Sequence, residues 1–331
     1  MQRVRVLVVG YGNVGRGVLQ ALKNNADMEL VGLASRTPER VRKAISDVPV
    51  VAMSDTAAIL ALNADVAILC GGSKNDLPEQ GPAFAKIINT VDSFDNHDMI
   101  PTYYAAMDNT AKEAGKVAVI STGWDPGVFS LERTLADAFI PGATVKGFYG
   151  VSDSGGLSMG HSDALRTIPG VADARQYTHA VPAAMADVRA GVKREFTAGD
   201  LHTRECFVVL EAGADAAAIE ATIKSMPGYF APYQTTVNFV SQEELNERFG
   251  GSPHDGCVIA SGTTGDGNMA VMEYRCAWGS NPEATANILV AHARAAARLA
   301  AEGKIGAFTI LDIAPAYFSS RDKSELLKKF M

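Results

Sequence analysis

The sequence predicts an α/β protein, in which a doubly wound parallel sheet is followed by an α+β domain. Three observations lead to this prediction. Val4 to Val9 form an apolar run typical of a strand that is buried on both faces. Apolar runs and helical stretches then alternate as far as Pro141. Beyond Pro141 several strands follow one another with fewer helices between them, which is typical of an α+β unit.

The first strand leads directly into G-Y-G-N-V-G at 10–15, and a helical stretch over 16–23 follows. A G-x-G-x-x-G pattern between a strand and a helix is the fingerprint of a Rossmann-type dinucleotide site. Gly10 permits the tight turn, Gly12 lets the backbone approach a pyrophosphate, and Gly15 lets the helix pack on the strand. The helix N-terminus favours the diphosphate. We therefore predict cofactor contacts from Gly10, Gly12, Asn13, Val14 and Gly15.

The residues after the second strand indicate which dinucleotide binds. This strand is predicted over 28–34, and Ser35, Arg36 and Thr37 follow it. An enzyme that uses NAD usually has an acidic residue here for the ribose 2′-hydroxyl, and none is present. A hydroxyl and a guanidinium suit a 2′-phosphate, so the sequence favours NADP. A solvated arginine near Glu39 is the alternative interpretation.

Four more strands are predicted in the sheet, and four helices are predicted to connect and cover them. The strands are predicted over 48–53, 65–70, 89–92 and 117–121, and the helices over 56–62, 77–86, 98–115 and 128–138. Ligands of open parallel sheets lie at the carboxyl ends of the strands. Further cofactor contacts are therefore expected from Cys70, Gly71, Gly72, Ser73, Asp92, Ser93, Phe94, Ser121 and Gly123. The glycines after Cys70 could alternatively form only a turn.

Acidic side chains follow two of these strands. Asp92 and Asp95 follow one strand, and either could cap the next helix, but we expect Asp95 to face a ligand. Trp124 and Asp125 stand in the turn G-W-D-P-G after the next strand. This turn could present an aromatic ring and a carboxylate to a ligand. It could equally be an Asp-Pro turn with Trp124 in the core.

The second half of the chain is predicted to form one largely antiparallel sheet with helices. Its strands are expected over 145–151, 175–180, 203–211, 233–240, 257–262 and 269–278, and its helices over 183–190, 214–225 and 242–249. A long helix over 282–302, a strand over 307–313 and a surface helix from Ser324 follow. The predicted domains are a dinucleotide-binding domain, 1–122 completed by 283–331, and a substrate-binding and dimerisation domain, 123–282.

Composition excludes several classes of protein. The net charge of −7 argues against general binding of nucleic acid or of an anionic membrane. No apolar run approaches the roughly 18 residues of a membrane span, and the N-terminus reads as a strand instead of a signal peptide. The scattered cysteines show no metal-binding spacing, so we expect no metal and a cytoplasmic protein with reduced thiols. They are Cys70, Cys206, Cys257 and Cys276.

Four stretches together resemble the meso-diaminopimelate dehydrogenase family. They are V-V-G-Y-G-N-V-G-R-G at 8–17, T-V-D-S-F-D-N-H at 90–97, S-T-G-W-D-P-G at 121–127 and M-G-H-S-D-A-L-R-T-I-P-G-V at 159–171. The resemblance covers essentially the whole chain. It implies an NADP-dependent homodimer of lysine biosynthesis that reversibly deaminates meso-2,6-diaminopimelate at its D-centre. The expected products are L-2-amino-6-oxopimelate, which cyclises to tetrahydrodipicolinate, and ammonia.

The resemblance also assigns roles to residues. Asp95 and Asp125, the catalytic candidates, would hold the D-centre ammonium beside Trp124. Arg204 would clamp a substrate carboxylate; without the resemblance, a strand-surface arginine paired with Glu205 or Glu211 is favoured. His254 and Asn281 would contact the distal L-centre. The remaining substrate-binding candidates are Tyr149, Met159, Gly160 and Thr178. His161 is expected to be structural.

The chain departs from the family pattern at three places. The segment 150–158 is longer than the family pattern, so the pocket wall near Tyr149 is the part of the family's site that this chain matches least. Thr37 replaces a second basic residue, which leaves some use of NAD open, and Cys257 stands where a histidine can occur. The alternatives are another NADP oxidoreductase, such as a dihydrodipicolinate reductase-like or sugar enzyme, and a non-catalytic NADP sensor. No Lys-Pro motif typical of the sugar enzymes follows the fifth strand.

Overall fold

The structure is a computed structural model, and it describes residues 3–249 and 251–331. The described residues form fourteen strands and thirteen α-helices. The strands are β1 (Val4–Val9), β2 (Met28–Ser35), β3 (Val50–Ala52), β4 (Val66–Leu69), β5 (Asn89–Asp92), β6 (Val117–Val119), β7 (Thr144–Tyr149), β8 (Gly156–Leu157), β9 (Val171–Ala180), β10 (His202–Leu210), β11 (Gln234–Phe239), β12 (His254–Thr263), β13 (Met269–Trp278) and β14 (Gly306–Phe308). The helices are α1 (Asn13–Lys23), α2 (Pro38–Arg42), α3 (Thr56–Ala61), α4 (Leu77–Ala85), α5 (Ile100–Ala114), α6 (Val128–Phe139), α7 (Met159–Arg166), α8 (Pro182–Arg189), α9 (Ala198–Leu201), α10 (Ala216–Ser225), α11 (Gln242–Phe249), α12 (Asn281–Ala301) and α13 (Lys323–Phe330).

The chain divides into two compact units. The first unit ends at Leu131 and resumes over Pro282–Met331, and the second unit is Glu132–Asn281. The sequence placed the first boundary after residue 122. The G-W-D-P-G turn and the first turn of α6 stay with the first unit, since Phe129 packs edge-on against Trp124.

The first unit contains the predicted doubly wound sheet. Its seven strands are all parallel, in the order β14-β6-β5-β4-β1-β2-β3. Side chains of β1 alternate between two buried layers, so that Val6 and Val8 pack with α1 and α12, while Leu7 and Val9 pack with α4 and α5. The apolar run Val4–Val9 is thus buried because both faces of the sheet are covered.

Two local predictions for the first unit differ from the structure. The expected strand over 307–313 ends at Phe308, where Thr309 and Asp312 form a reciprocal capping box around a 3₁₀ turn. The short helix α2 was not predicted, because its five residues carry no helical repeat of apolar side chains.

The second unit contains two sheets, so the prediction of one largely antiparallel sheet was wrong. One sheet has the order β11-β10-β9-β8 and the other the order β13-β12-β7. Strands β10 and β11 are parallel, because α10 lies between them and returns the chain to the same end of the sheet. The other neighbouring pairs in this unit are antiparallel. The elements β8, α7 and α9 are short and were also missed.

Separate apolar clusters support the two sheets of this unit. Side chains from α7, α10, β9 and β10 form one cluster, which includes Leu165, Val208 and Ile223. Residues of α8 pack on β7 and β12 through Phe148 and Ile259. Across both units, the described helices include none that is long and apolar enough to cross a membrane.

Candidate active site

The glycine loop between β1 and α1 has the geometry of a diphosphate cradle. Gly10 has φ +96°, a conformation that favours glycine, and a Cβ on Gly15 would lie 2.2 Å from the carbonyl oxygen of Gly10. A Cβ on Gly12 would meet nothing within 4 Å. Helix α1 begins at Asn13 without a side-chain cap from Gly12. The open space beside Gly12 and the uncapped helix N-terminus fit the diphosphate of a dinucleotide.

This contrast between two glycines predicts different effects of adding one methyl group. Gly12→Ala should leave the free energy of unfolding nearly unchanged and raise the Kd for NADP at least about tenfold, because the methyl occupies the space where the diphosphate approaches. Gly15→Ala should lower the free energy of unfolding by about 1–3 kcal/mol, because its methyl overlaps the backbone of the loop. Urea unfolding and calorimetric titration of NADP measure both effects. Equal loss of stability in the two variants would contradict the assignment.

The residues after β2 form an exposed basic corner. The Arg36 side chain is 71% exposed, and its Nη1 donates to Oδ1 of Asp76 at 2.8 Å. Glu39 pairs instead with Arg42, so it does not neutralise Arg36. The backbone N–H of Thr37 donates to Oγ of Ser35 at 3.1 Å. An exposed guanidinium at this strand end fits the predicted 2′-phosphate contact.

The loops after β4 and β5 lie beside each other. Oγ of Ser73 accepts the backbone N–H of Asp95 at 3.0 Å, and the Asp95 side chain is exposed. Cys70 directly follows β4 and lies next to the glycine loop, where the Gly10 backbone approaches it closely. The structure therefore gathers several predicted cofactor residues and Asp95 at the carboxyl edge of the sheet, as expected.

Asp92 is a core residue, so its predicted contact with a cofactor would have to come from its main chain. Its carboxylate is fully buried and accepts hydrogen bonds from the backbone of Phe94, the backbone of Ser121 and the hydroxyl of Tyr103. Phe94 is also buried and stacks on Tyr103 with ring centroids 4.2 Å apart. A cofactor could meet these two positions only through their main chain. Burial raises the pKa of Asp92 to about 6, although the three hydrogen bonds oppose the shift.

The raised pKa of Asp92 predicts a pH-dependent stability difference. The pKa of Asp92 is about 6 in the folded protein and 3.8 in the unfolded chain. Protonation of this carboxyl therefore stabilises the fold fully below pH 3.8, and the contribution is lost as the pH rises through about 6. Between pH 4 and pH 7, the free energy of unfolding should fall relative to that of Asp92→Asn by about 2 kcal/mol. Urea unfolding across this range measures the difference, with the exposed Asp98→Asn as control. A pH-independent difference would contradict the account.

The G-W-D-P-G turn holds Asp125 in a defined position after β6. The Thr122 hydroxyl and backbone N–H both donate to the carbonyl oxygen of Asp92, which joins this turn to β5. A Cβ on Gly127 would overlap the Gly123 carbonyl oxygen, and Gly127 has φ +129°. Trp124 is buried against Phe129, while Asp125 is half-buried. The ring therefore belongs to the core, as the second interpretation expects, and a contact of the Asp125 carboxyl with a ligand stays a prediction.

Arg204 in the second unit is a buried cation without a carboxylate partner among the described residues. Its side chain lies on β10, the residue is 9% exposed, and its guanidinium carbon is 4.0 Å from the centre of the Tyr233 ring. Its Nη1 donates to Oγ1 of Thr178 on β9, whereas its Nε has no partner in the described structure. Glu205 instead bonds His179 and Asn238. The alternative of a surface ion pair with Glu205 or Glu211 is therefore wrong. Burying such a charge is costly unless an anion pairs with it.

Three neutral histidines surround this cation. Burial and the nearby Arg204 charge lower the pKa of His161 to about 4 and that of His202 to about 3, and burial also lowers the pKa of His254. Nε2 of His202 accepts the backbone N–H of Tyr149 at 3.0 Å, as only a neutral imidazole can. Sequence reasoning missed His202. Its signal was its position two residues before Arg204, on the same face of a strand.

The segment 150–158 folds tightly against the residues beside Arg204. The Asp255 carboxylate accepts the backbone N–H groups of Val151 and Ser152 at 2.8 and 3.0 Å. Gly156 in β8 pairs with Thr178, and a Cβ on it would overlap the His254 ring. The segment 150–158 therefore packs directly against Thr178 and His254.

Tyr149 is fixed by its ring and by its hydroxyl. The ring stacks on His202 with centroids 5.2 Å apart, and the hydroxyl accepts from Nη2 of Arg133 at 2.9 Å. Tyr149, Thr178, Arg204 and the three histidines thus form one polar group, which we call the Arg204 cluster. It fits the carboxylate of a ligand, because its one cation is surrounded by neutral donors and rings.

The remaining substrate candidates lie at helix starts. Met159 begins α7 and packs partly on an apolar cluster that includes Tyr177 and Phe207, while Gly160 is exposed. The backbone N–H of Asn281, at the start of α12, donates to the Ser252 carbonyl oxygen at 2.8 Å. Among the residues described, no three His, Cys, Asp or Glu side chains could hold a metal ion together.

Comparison with known proteins decides the family. The family model described as diaminopimelic acid dehydrogenase C-terminal domain matches residues 123–280. Curated relatives called meso-diaminopimelate D-dehydrogenase include those of Ureibacillus thermosphaericus, 46% identical, and Lysinibacillus sphaericus, 47% identical, each matched over 100% of both chains. The chain belongs to the meso-diaminopimelate dehydrogenase family.

Further comparisons bear on the fold and the cofactor of this family member. A model for the oxidoreductase family with an NAD-binding Rossmann fold matches residues 4–89. The structure resembles the DAP dehydrogenase of C. glutamicum in complex with DAP, with a TM-score of 0.92 and 41% identity over 100% of both chains. It also resembles an engineered D-amino acid dehydrogenase bound to NADP+, with a TM-score of 0.88 and 40% identity over 100% of both chains. The predicted Rossmann-type fold and the predicted family are confirmed.

Proposed function

We propose that this protein catalyses the reversible, NADP-dependent oxidative deamination of meso-2,6-diaminopimelate at its D-centre, in lysine biosynthesis. The products are L-2-amino-6-oxopimelate, which cyclises to tetrahydrodipicolinate, and ammonia. The observation that carries this proposal is the buried Arg204, which has no carboxylate partner among the described residues. The first unit of this family member also presents two acids beside a dinucleotide cradle. The names of the curated relatives support the same activity.

Asp95 and Asp125 are proposed to bind the ammonium group at the D-centre. They follow the paired strands β5 and β6, so both lie at the carboxyl edge of the sheet. The Asp95 backbone N–H donates to the Ser73 hydroxyl oxygen, and the Thr122 hydroxyl donates to the Asp92 carbonyl oxygen in β5, so both loops are fixed in the first unit. Two anions with fixed backbones can orient an ammonium, and Trp124 is the proposed wall beside it.

The proposed reaction removes a hydride from the D-centre Cα and a proton from its ammonium group. NADP supplies the hydride acceptor when it is bound, held by the glycine loop and by Arg36 at its 2′-phosphate. Asp95 and Asp125 keep the amine in the reactive orientation, and one of them or a water takes the proton as the C=N bond forms. Water then adds to the imine carbon and ammonia leaves. We assign the general base to neither carboxylate.

The Arg204 cluster is proposed to bind a carboxylate of the substrate. The Arg204 guanidinium and the Thr178 hydroxyl are its donors. His254 and Asn281 are the proposed contacts of the distal L-centre, with Tyr149, Met159 and Gly160 lining the same pocket. Because no carboxylate of the described residues pairs with this cation, substrate binding would supply the missing negative charge.

A homodimer in the cytoplasm completes the proposal. Strand β13 is ten residues long and lies at the edge of its sheet, where Met269 and Val271 are 56% and 48% exposed. A long outer strand with exposed apolar side chains favours pairing with a second copy. All four cysteines are free thiols, which is typical of a reducing compartment. Sedimentation equilibrium tests the dimer, and a monomer at micromolar concentration would overturn this part.

The experiment that tests the proposed function compares three substrate isomers. The purified protein is mixed with meso-, L,L- or D,D-diaminopimelate and with NADP or NAD, and reduced cofactor is followed by its absorbance. We expect turnover with meso-diaminopimelate and NADP, and none with the L,L isomer, which lacks a D-centre. If the meso isomer gives no reduction of NADP although NADP still binds, the proposed substrate is rejected.

A further inference from the structure

We propose that Asp76 is the residue that positions Arg36 for the 2′-phosphate of NADP, and so contributes to the choice of NADP over NAD. This inference rests on the proposed contact between Arg36 and the cofactor. The Asp76 carboxylate links two loops of the first unit. Its Oδ1 accepts from Nη1 of Arg36 at 2.8 Å, and its Oδ2 accepts the backbone N–H of Gly72 at 2.9 Å. One side chain therefore holds together the predicted phosphate corner after β2 and the cofactor loop after β4.

The position of Asp76 in the chain would normally give it another task. It is the N-cap residue of α4, where an aspartate usually accepts a backbone N–H from the first turn of the helix. Asp76 makes no such bond, and Pro78 removes one of the N–H groups that it could cap. Its carboxylate instead turns back to Gly72 and out to Arg36. Asp76 therefore links the two loops with the carboxylate that would otherwise cap the helix.

The difference in exposure shows which group of the pair meets a ligand. The Asp76 side chain is 20% exposed, whereas that of Arg36 is 71% exposed. Arg36 makes no further hydrogen bond within the described residues, so its other N–H groups remain available for a phosphate. An incoming phosphate therefore meets the guanidinium first, and the more buried carboxylate holds that guanidinium in place.

Holding Arg36 in one orientation lowers the entropy that phosphate binding must remove. A free arginine on the surface samples many rotamers, and each immobilised long side chain weakens binding. The negative charge of Asp76 acts in the opposite direction, because it reduces the positive potential at the corner. Solvent screens this repulsion at an exposed position, so we expect the positioning effect to dominate.

The loop after β4 is built closely around this aspartate. A Cβ on Gly71 would lie 2.7 Å from Cβ of Asp76, so only glycine permits the approach. The backbone N–H groups of Asp76 and Leu77 both donate to the Gly72 carbonyl oxygen, at 2.9 and 3.0 Å. Gly71 and Gly72 are therefore more than a turn, since they bring Asp76 to Arg36.

The test is a double-mutant cycle read out by binding. The Kd values for NADP, NAD and 2′-AMP are measured by calorimetry on the wild type, Asp76→Asn, Arg36→Ala and the double variant. Asparagine keeps an acceptor for Gly72 and removes the ion pair. Asp76→Asn should raise the Kd for NADP and for 2′-AMP about 2- to 10-fold, with the Kd for NAD changed less than about 2-fold. In the Arg36→Ala background it should have no further effect.

A second aspartate provides a matched control. Asp55 is the N-cap residue of α3 in the same unit, and it does cap its helix by accepting the Ala58 N–H at 2.9 Å. Asp55→Asn should leave the preference for NADP unchanged. Three results would overturn the inference. Asp76→Asn could weaken the binding of NADP and NAD equally, it could tighten the binding of NADP, or its effect on the Kd for NADP could persist in the Arg36→Ala background.

The same data separate this inference from the proposed function. If Arg36→Ala weakens NADP selectively while Asp76→Asn is silent, only the role of Asp76 is overturned. If the wild type binds NADP no more tightly than NAD, the phosphate corner itself is wrong and both proposals fail.

Discussion

Replacing Arg204 by glutamine is expected to lower kcat/KM for meso-diaminopimelate by at least about a hundredfold, mainly through KM, with the Kd for NADP unchanged. Arg204 is proposed to meet a substrate carboxylate in a site that is shielded from water, where loss of one charged partner leaves the other buried and unpaired. Lysine at this position should recover only part of the loss, because it lacks the planar fork and the stacking on Tyr233.

The same substitution is expected to stabilise the free protein. No carboxylate among the described residues compensates the Arg204 charge, so its removal relieves a desolvation cost instead of breaking an ion pair. Thermal unfolding should therefore show a Tm equal to or above that of the wild type. Arg175 on β9 is the matched control, since it is ion-paired with Asp173, and Arg175→Gln should leave KM unchanged. Near-normal KM in Arg204→Gln would contradict the carboxylate role.

Asp125→Ala is expected to reduce kcat for deamination about a thousandfold while the Kd for NADP stays within about twofold of the wild type. The carboxyl of Asp125 is proposed to orient the reacting ammonium, and Gly123, Trp124 and Gly127 shape the turn that carries it. Stopped-flow measurement of cofactor reduction and calorimetric titration of NADP separate the two effects.

Asp98→Ala is the control for this prediction. Asp98 is exposed in the 3₁₀ turn just after Asp95, and no role is assigned to it, so its loss should leave kcat unchanged. Two outcomes would reject the role of Asp125: near-normal turnover without its carboxyl, or loss of NADP binding together with activity.

The nucleotide-binding half could be predicted from sequence because its signals are local. Gly10, Gly12 and Gly15 lie within six consecutive positions, and their spacing between an apolar run and a helical stretch indicates the strand, the turn and the helix. Burial on both faces of the sheet likewise makes β1 a continuous apolar run. Which of the two acids is buried could not be predicted from local sequence. Asp92 and Asp95 look alike in sequence, and only the packing of Tyr103 and Ser121 around Asp92 distinguishes them.

The second half was harder to predict because its decisive contacts join distant residues. Arg204 reads as a surface residue until β9 and β11 are placed on either side of it, which brings Thr178 and Tyr233 to its side chain. The parallel pairing of β10 with β11 depends on where α10 crosses, and no short pattern encodes that. His202 was missed because its position two residues before Arg204 gains meaning only once Arg204 is known to be buried.

The measurement that tests the central claim most directly follows deuterium from the substrate to the cofactor. Meso-diaminopimelate carrying deuterium only at its D-centre Cα is converted with NADP, and the reduced cofactor is analysed by mass spectrometry. We predict that one deuterium is transferred to the nicotinamide, and that the isomer labelled only at the L-centre transfers none. Transfer from the L-centre, or reduced cofactor that contains no deuterium from either label, would contradict the proposed D-centre dehydrogenation.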